Sequence, residues 1–285
     1  MALGEVTKKQ LRPIRSFAEL YHMGSIPFVA IFGLNKRYIH SDYKVTLWGR
    51  FRLVTRLWRN TRHIATGTSY KAQAAIAAKL LSIPKSTQGV VVECGCWVGG
   101  STANLSLICK LVDRQLIVYD SYEGLPVAEK GDRHAKDEAA GMFCGALETV
   151  QANVRNYGDI SRCEFRKGWF SATLPHHSEK IALICADVDW QASLHDVVVN
   201  LWPHLNPQGY FFIDEYMYLD YCGLFWSESF WKKYFDCGPP GLMGSGVGVG
   251  VGQYYLGPFD WKVDPTSIAY TRKDFSGHWN YDPQT

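Results

Sequence analysis

Several short apolar runs in this chain end on a carboxylate, and that pattern restricts the fold more than any other feature. The run Gly89–Cys94 carries Glu93, Leu116–Tyr119 leads to Asp120, Ile181–Ala186 to Asp187, and Tyr210–Ile213 to Asp214 and Glu215. These runs are rich in β-branched and aromatic residues and too short for helices, so they read as buried strands. A further strand is expected at Cys163–Arg166, and helices at Ser101–Leu111, Met142–Asn156 and Ser193–His204. Strands alternating with helices fold into right-handed βαβ units around a mainly parallel sheet. Such sheets bind ligands outside the carboxyl ends of their strands, so acids that close successive strands share one rim.

The remaining chain fits around this α/β unit. Ser69–Leu81 is Ala-rich and reads as a helix with Ser69 as its N-cap. Residues 1–65 form an N-terminal helical or irregular extension, and 66–285 the main domain. Within the extension, Arg50, Arg52, Arg56, Arg59, Arg62 and His63 interleave with Phe51, Leu53, Val54, Leu57 and Trp58, an amphipathic helix. Its basic face is either solvated or turned to a membrane surface or an anionic partner. Glu123 to about Ala140 is a polar loop. Residues 217–260 are an unusual Gly- and aromatic-rich insert, whose part 238–252 suits a loop or a strand equally, and Tyr270–Lys273 closes the last strand.

The formal net charge of +3 over 285 residues gives no electrostatic case for nucleic-acid binding. The apolar stretch Ile26–Leu34 is too short to span a bilayer and contains Pro27 and Gly33, so no stable membrane insertion is expected. The eight cysteines include no CxxC pair and no zinc spacing, and with no signal segment they read as reduced thiols of a cytoplasmic protein.

The rim residues carry the chemistry. Glu93-Cys-Gly95-Cys-Trp97-Val-Gly99-Gly100-Ser101 joins a strand to a helix, with glycines that permit a tight turn and close backbone approach to a ligand. It is neither a dinucleotide fingerprint nor a P-loop, and an acid at the strand end repels a pyrophosphate while suiting an ammonium or sulfonium ligand. A plain structural turn is the alternative. Asp120, at the next strand end, is placed to accept a ribose diol or simply to cap a turn. Asp187, Asp189, Asp214 and Glu215 lie after adjacent strands, where carboxylates can converge on a hard cation such as Mg²⁺ or stand solvated in loops. The aromatics Tyr216, Tyr218, Tyr221, Phe225, Trp226 and Trp231 line an acceptor pocket or fill a core.

Five stretches in fixed order, GVVVECGCWVGGST, YDSYEGLP, KGWFSATLP, ADVDWQAS and LNPQGYFFIDEY, resemble the macrocin O-methyltransferase family of the TylF/MycF/NovP type. The likeness runs from about Thr66 to Tyr216, with a tail match at SIAYTRKD and no counterpart seen for 1–65 or 217–260. It implies a Rossmann-like class I methyltransferase fold with a seven-stranded sheet and helices on both faces, working as a homo-oligomer. It further implies methylation of a free hydroxyl on a small-molecule acceptor, often a sugar, with S-adenosylmethionine as donor and Mg²⁺ as cofactor. Carried over, Glu93, Gly95, Trp97, Gly99 and Ser101 hold the methionine end, Asp120 and Ser121 the ribose side, and Gly168, Trp169 and Phe170 flank the adenine. The metal acids fall on Asp187, Asp214 and Glu215, the last being Asp in most of the family; Gln191 likewise stands where the family has Tyr. The candidate base is His134 in the polar loop, with Asp189 and His195 as competitors, His being favoured by its pKa. Two other readings remain: a metal-independent small-molecule methyltransferase, and an inactive S-adenosylmethionine-binding scaffold whose partner surface includes Phe225–Phe235.

Overall fold

A computed structural model describes residues 17–128, 140–216, 218–244, 254–256, 263–265 and 268–273. The strands in chain order are β1 (Val90–Cys94), β2 (Leu116–Asp120), β3 (Cys163–Lys167), β4 (Ile181–Ala186), β5 (Leu205–Ile213), β6 (Met243–Gly244), β7 (Tyr254–Leu256), β8 (Val263–Pro265) and β9 (Ala269–Arg272). Seven of them form one sheet in the order β3-β2-β1-β4-β5-β9-β6. Strands β1 to β5 pair in parallel, and β9 runs antiparallel to both β5 and β6. The strand order reverses between β1 and β4, which is the switch point where α/β sheets open a crevice. Strands β7 and β8 make a separate antiparallel ribbon.

The helices are α1 (Phe17–Gly24), the single turn α2 (Ile26–Phe28), α3 (Leu47–His63), α4 (Tyr70–Ser82), α5 (Gly100–Val112), α6 (Leu147–Tyr157), α7 (Phe170–Thr173), α8 (Gln191–Leu201), α9 (Leu219–Cys222) and α10 (Glu228–Phe235). Because strand side chains alternate in direction, the sheet serves two cores. Val91, Val118, Leu183 and Phe212 pack with residues of α3, α4, α5 and α6, whereas Val92, Ile117, Ile184 and Phe211 pack with α8 and Trp231 of α10. All six residues of β4 are buried, as a central parallel strand covered on both faces requires.

The Arg-rich helix forms as read. Val54 and Leu57 of α3 join the first core, while Arg52, Arg56 and Arg59 are exposed. Arg50 departs from this solvated face: it is buried and donates to the Leu34 carbonyl at 2.9 Å. Ser69 caps α4, its Oγ accepting from the Ala72 N–H at 3.2 Å.

Other boundaries differ from the sequence reading for local reasons. The helix expected from Met142 starts at Leu147, after a turn over 140–143 and the close packing of Gly145 on the Trp97 carbonyl, where a Cβ would collide. The helix expected from Ser193 starts at Gln191 and ends in a 3₁₀ turn over Trp202–His204, the turn into which Pro203 fits without an N–H. Strand β5 begins at Leu205, ahead of Pro207 and Gly209, with a register shift against β4. Of the Gly-rich segment, Met243–Gly244 is a strand, and 245–252 lies outside the described residues. Among the described residues no helix is long and apolar enough to cross a membrane.

Candidate active site

Strand β1 delivers Glu93 to a small cavity of about 20 Å³ at the carboxyl ends of β1, β4 and β5. The cavity is lined by Glu93, Gly95 and Ser101 from the β1–α5 connection, by Asp187 after β4, and by Asp214 after β5. Glu93 is 2% exposed, and neither carboxylate oxygen has a hydrogen-bond partner. Burial pushes its pKa up to about 8; the nearby Ser101 and Thr102 hydroxyls offset part of the rise, and the charges of Asp187 and Asp120 add to it. A buried carboxyl with only two hydroxyls near it and no cationic partner is costly for the empty protein and fits a cationic ligand that supplies the missing charge.

Glycine is required at residue 95. Its φ is +82°, and an added Cβ would run into the Asp187 carbonyl oxygen. The β1 and β4 connections therefore touch backbone to backbone, with the Asp187 N–H donating to the Cys94 carbonyl at 3.0 Å. Gly99, at φ +83°, is the N-cap of α5 and sends the chain into the helix that carries Ser101.

Asp120 holds two turns at once. One oxygen accepts the Cys96 N–H at 2.7 Å and the other the Tyr122 N–H at 2.7 Å. Each oxygen keeps a further lone pair, so the carboxylate can accept a diol while bracing the glycine loop. Ser121 does not point to a ligand by its bonds: its Oγ donates to the Gly124 carbonyl and accepts from the Glu123 N–H, both at 3.1 Å. The Gly168 N–H donates to the Asp120 carbonyl at 2.9 Å, which sets Gly168, Trp169 and Phe170 beside the β2 end. Trp169 is 40% exposed, and Phe170 packs on the second core.

The four remaining acids lie close enough to feel one another. Burial raises the Asp214 pKa, and the charges of Asp187, Glu215 and Asp189 raise it further. Oδ1 of Asp214 also accepts the Glu215 N–H at 3.1 Å. The donor chemistry, oxygen ligands under mutual repulsion, suits a hard cation. The geometry falls short of the expected ligand set: among the described residues no three His, Cys, Asp or Glu side chains stand at ligand spacing.

Backbone strain marks the same rim. Non-glycine residues at positive φ include Trp97 after β1, Tyr122 after β2, Asp189 after β4 and Glu215 after β5, at φ between 47° and 60°. Such conformations persist where the surrounding structure holds them, and they gather at ligand sites.

Several sequence-based assignments change. His134 lies outside the described residues. His195 bonds through Nε2 to the Tyr234 hydroxyl at 3.2 Å and stacks edge-on with Phe230, so α10 claims its ring. Trp97 meets Phe143 edge to face at 5.5 Å and does not line the cavity. Tyr221, Phe225 and Trp231 are core, whereas Trp226, which faces Tyr216, and Tyr234 are exposed at 45% and 37%, so Phe225–Phe235 divides between core and surface. Thr68, Gln73 and Ile76 line the cavity without having been singled out from the sequence. A lone Gln on the buried face of an Ala-rich helix was the available signal.

A sequence profile described as Macrocin-O-methyltransferase (TylF) matches residues 57–234, well past the motif run ending at Tyr216 and into α9 and α10. A Streptomyces olivaceus protein, 8-demethyl-8-(2,3-dimethoxy-alpha-L-rhamnosyl)-tetracenomycin-C 4'-O-methyltransferase, is 33% identical over 183 residues, 60% of this chain and 69% of that one. Mycinamicin III 3''-O-methyltransferase of Micromonospora griseorubida is 33% identical over 141 residues, 45% of this chain and 55% of its own length. The structure of the O-methyltransferase NovP superposes with a TM-score of 0.56 at 23% identity, covering 90% of this chain and 99% of that one, a likeness of fold.

Proposed function

The chain belongs to the macrocin-O-methyltransferase family, and we propose that it moves the methyl group of S-adenosylmethionine to a hydroxyl of a sugar-bearing natural product. The name of one relative places a rhamnosyl group on its acceptor, and a sugar hydroxyl is the acceptor proposed here. The observation that carries the reading is the shared cavity of Glu93, Ser101, Asp187 and Asp214, in which both Glu93 oxygens lack partners.

In this reading Glu93 receives the cationic methionine end, and Gly95 and Gly99 let the backbone close on it. Trp97 stands behind that loop, and Ser101 opens the helix beneath the carboxylate of the cofactor. Asp120 takes the ribose hydroxyls next to Ser121, and Gly168, Trp169 and Phe170 flank the adenine. Asp187 and Asp189 orient the acceptor hydroxyl, and the proton it loses goes to His134 or Asp189. The acceptor oxygen forms a bond to the methyl carbon as the sulfonium–carbon bond breaks, leaving a methyl ether, S-adenosylhomocysteine and one proton. The donor is already activated by its charge, so the protein supplies alignment, exclusion of water and a deprotonated nucleophile. Mg²⁺ would be held by Asp187, Asp214 and Glu215 and would supply a Lewis acid that lowers the pKa of the acceptor hydroxyl.

The test is methyl transfer from methyl-labelled S-adenosylmethionine to a panel of rhamnosides and other glycosides, with labelled ether detected by mass spectrometry. Label appearing on nitrogen acceptors alone would overturn the assignment. A chelator arm separates the metal: turnover is expected to fall at least about a hundredfold and to return with Mg²⁺. A metal-free variant of the reaction gains from one observation, the missing three-acid ligand spacing, and chelator-insensitive turnover would establish it.

A further inference from the structure

Helix α4 delivers one polar side chain to the cavity that the reaction as described leaves without work. Gln73 is 1% exposed, and its Oε1 is buried without a hydrogen-bond partner. Its sequence neighbours Ala72, Ala74, Ala75 and Ala77 are buried too, small residues that let the helix lie close to the sheet. An amide among them is a poor choice for packing, since a buried unpartnered carbonyl loses its water and gains nothing in return. Gln73 and Ile76, three residues apart, share a helical face, and that face lines the cavity together with Thr68 ahead of the cap. Glu93 and Ser101 line the same cavity, and both Glu93 oxygens are likewise buried without a hydrogen bond of good geometry. Unpaired polar atoms from two separate elements, α4 and the β1–α5 connection, thus border one space.

Acceptors from two elements around one cavity match a ligand group that donates several hydrogen bonds and carries positive charge. An α-ammonium does so; an adenine or a ribose at this depth would leave Glu93 uncompensated. We infer that Gln73 binds the amino-acid end of S-adenosylmethionine, its amide oxygen accepting from the α-ammonium together with the Glu93 carboxylate. This rests on the proposed function above. It adds a contact from α4 to a site otherwise assembled from the strand ends, and it explains why a polar residue interrupts the alanines.

The inference is tested by calorimetric titration of the full chain with two ligands, S-adenosylhomocysteine and 5′-methylthioadenosine, which keeps the adenosine and sulfur but lacks the amino-acid end. Gln73→Leu, with Gln73→Met as a second variant of similar length should the first fail to fold, removes the amide. The expected result is a loss of about tenfold or more in S-adenosylhomocysteine affinity, the size of one hydrogen bond to a charged group. The affinity for 5′-methylthioadenosine is expected to stay within about twofold. Equal losses for both ligands would show that Gln73 only shapes the pocket, and no loss for either would remove it from the site; both overturn the inference. Wild-type protein that binds neither ligand would instead overturn the proposed function, and the inference with it.

Discussion

Tyr119 on β2 and Glu93 on β1 lie in adjacent strands, both buried, and the chain treats their polar atoms in opposite ways. The Tyr119 hydroxyl accepts from Arg166 Nη1 at 2.6 Å and donates to His177 Nδ1 at 2.9 Å, and His177 Nε2 in turn donates to the Glu179 carbonyl at 2.9 Å. Trp231 Nε1 in the same core donates to the Leu224 carbonyl at 2.9 Å. On the other face, the Gln73 amide oxygen is buried without a partner, and the buried Glu93 carboxyl has only the Ser101 and Thr102 hydroxyls nearby. Satisfied burial serves the fold, and unsatisfied burial at a strained rim costs the empty protein free energy that a bound ligand restores.

Mutations sharpen the contrast. Trp231 packs against Trp202 at 4.7 Å and Phe235 at 4.9 Å, so Trp231→Ala should cost about 3–5 kcal/mol in urea unfolding. The affinity of the folded fraction for S-adenosylhomocysteine should be unchanged; a specific loss of binding would join the two regions. Gly95→Ala attacks the rim through the backbone, forcing a Cβ into the Asp187 carbonyl at positive φ. It should lose about 2–4 kcal/mol of stability together with ligand binding, and a variant of wild-type stability would refute the tight contact.

Glu93→Gln should act oppositely on the two quantities. Binding of S-adenosylhomocysteine should weaken by about 1.5–3 kcal/mol, the range for a charge-assisted hydrogen bond. The ligand-free protein should gain stability, because its carboxyl titrates near 8 when folded and near 4.5 when unfolded. Between those values the folded state holds the extra proton, so wild-type stability declines as pH rises through the window and levels off above it. The gap between Glu93→Gln and wild type should therefore widen toward pH 8; a gap that stays constant from pH 5 to 8 would mean the carboxyl is ionised throughout. Ser69→Ala removes the α4 cap and should cost about 1 kcal/mol of stability, with ligand affinity changed by less than about twofold; a larger binding loss would mean that α4 positions the site more sensitively than its packing indicates.

Strand ends were legible because a parallel sheet leaves a simple trace, an apolar run closed by an acid, and Glu93, Asp187 and Asp214 do meet at one cavity. The burial of Phe225 and Trp231 against the exposure of Trp226 was not legible, since aromatic content is the same for a pocket wall and a core. Gln73 escaped notice because it belongs to no motif and comes from a helix that precedes the sheet. The start of α6 was not legible because the turn over 140–143 and the packing of Gly145 on Trp97 are tertiary features, distant in sequence. Four carboxylates near one another looked like a ligand set, yet their spacing depends on loop conformations at positive φ that composition does not encode.

The antiparallel wedge at the sheet edge bears on how the protein is made. Strand β9 covers the edge of β5 from Tyr210 to Ile213, but residues 214–268 separate the two. A ribosome adding 5–20 residues per second leaves that edge bare for on the order of 3–11 s after β5 emerges. During that interval Phe211, Phe212 and Ile213 offer an unpaired template to any other nascent chain. Yield in a heterologous host should thus depend on translation speed through 214–268 and on chaperone supply, more than on the stability of the finished enzyme.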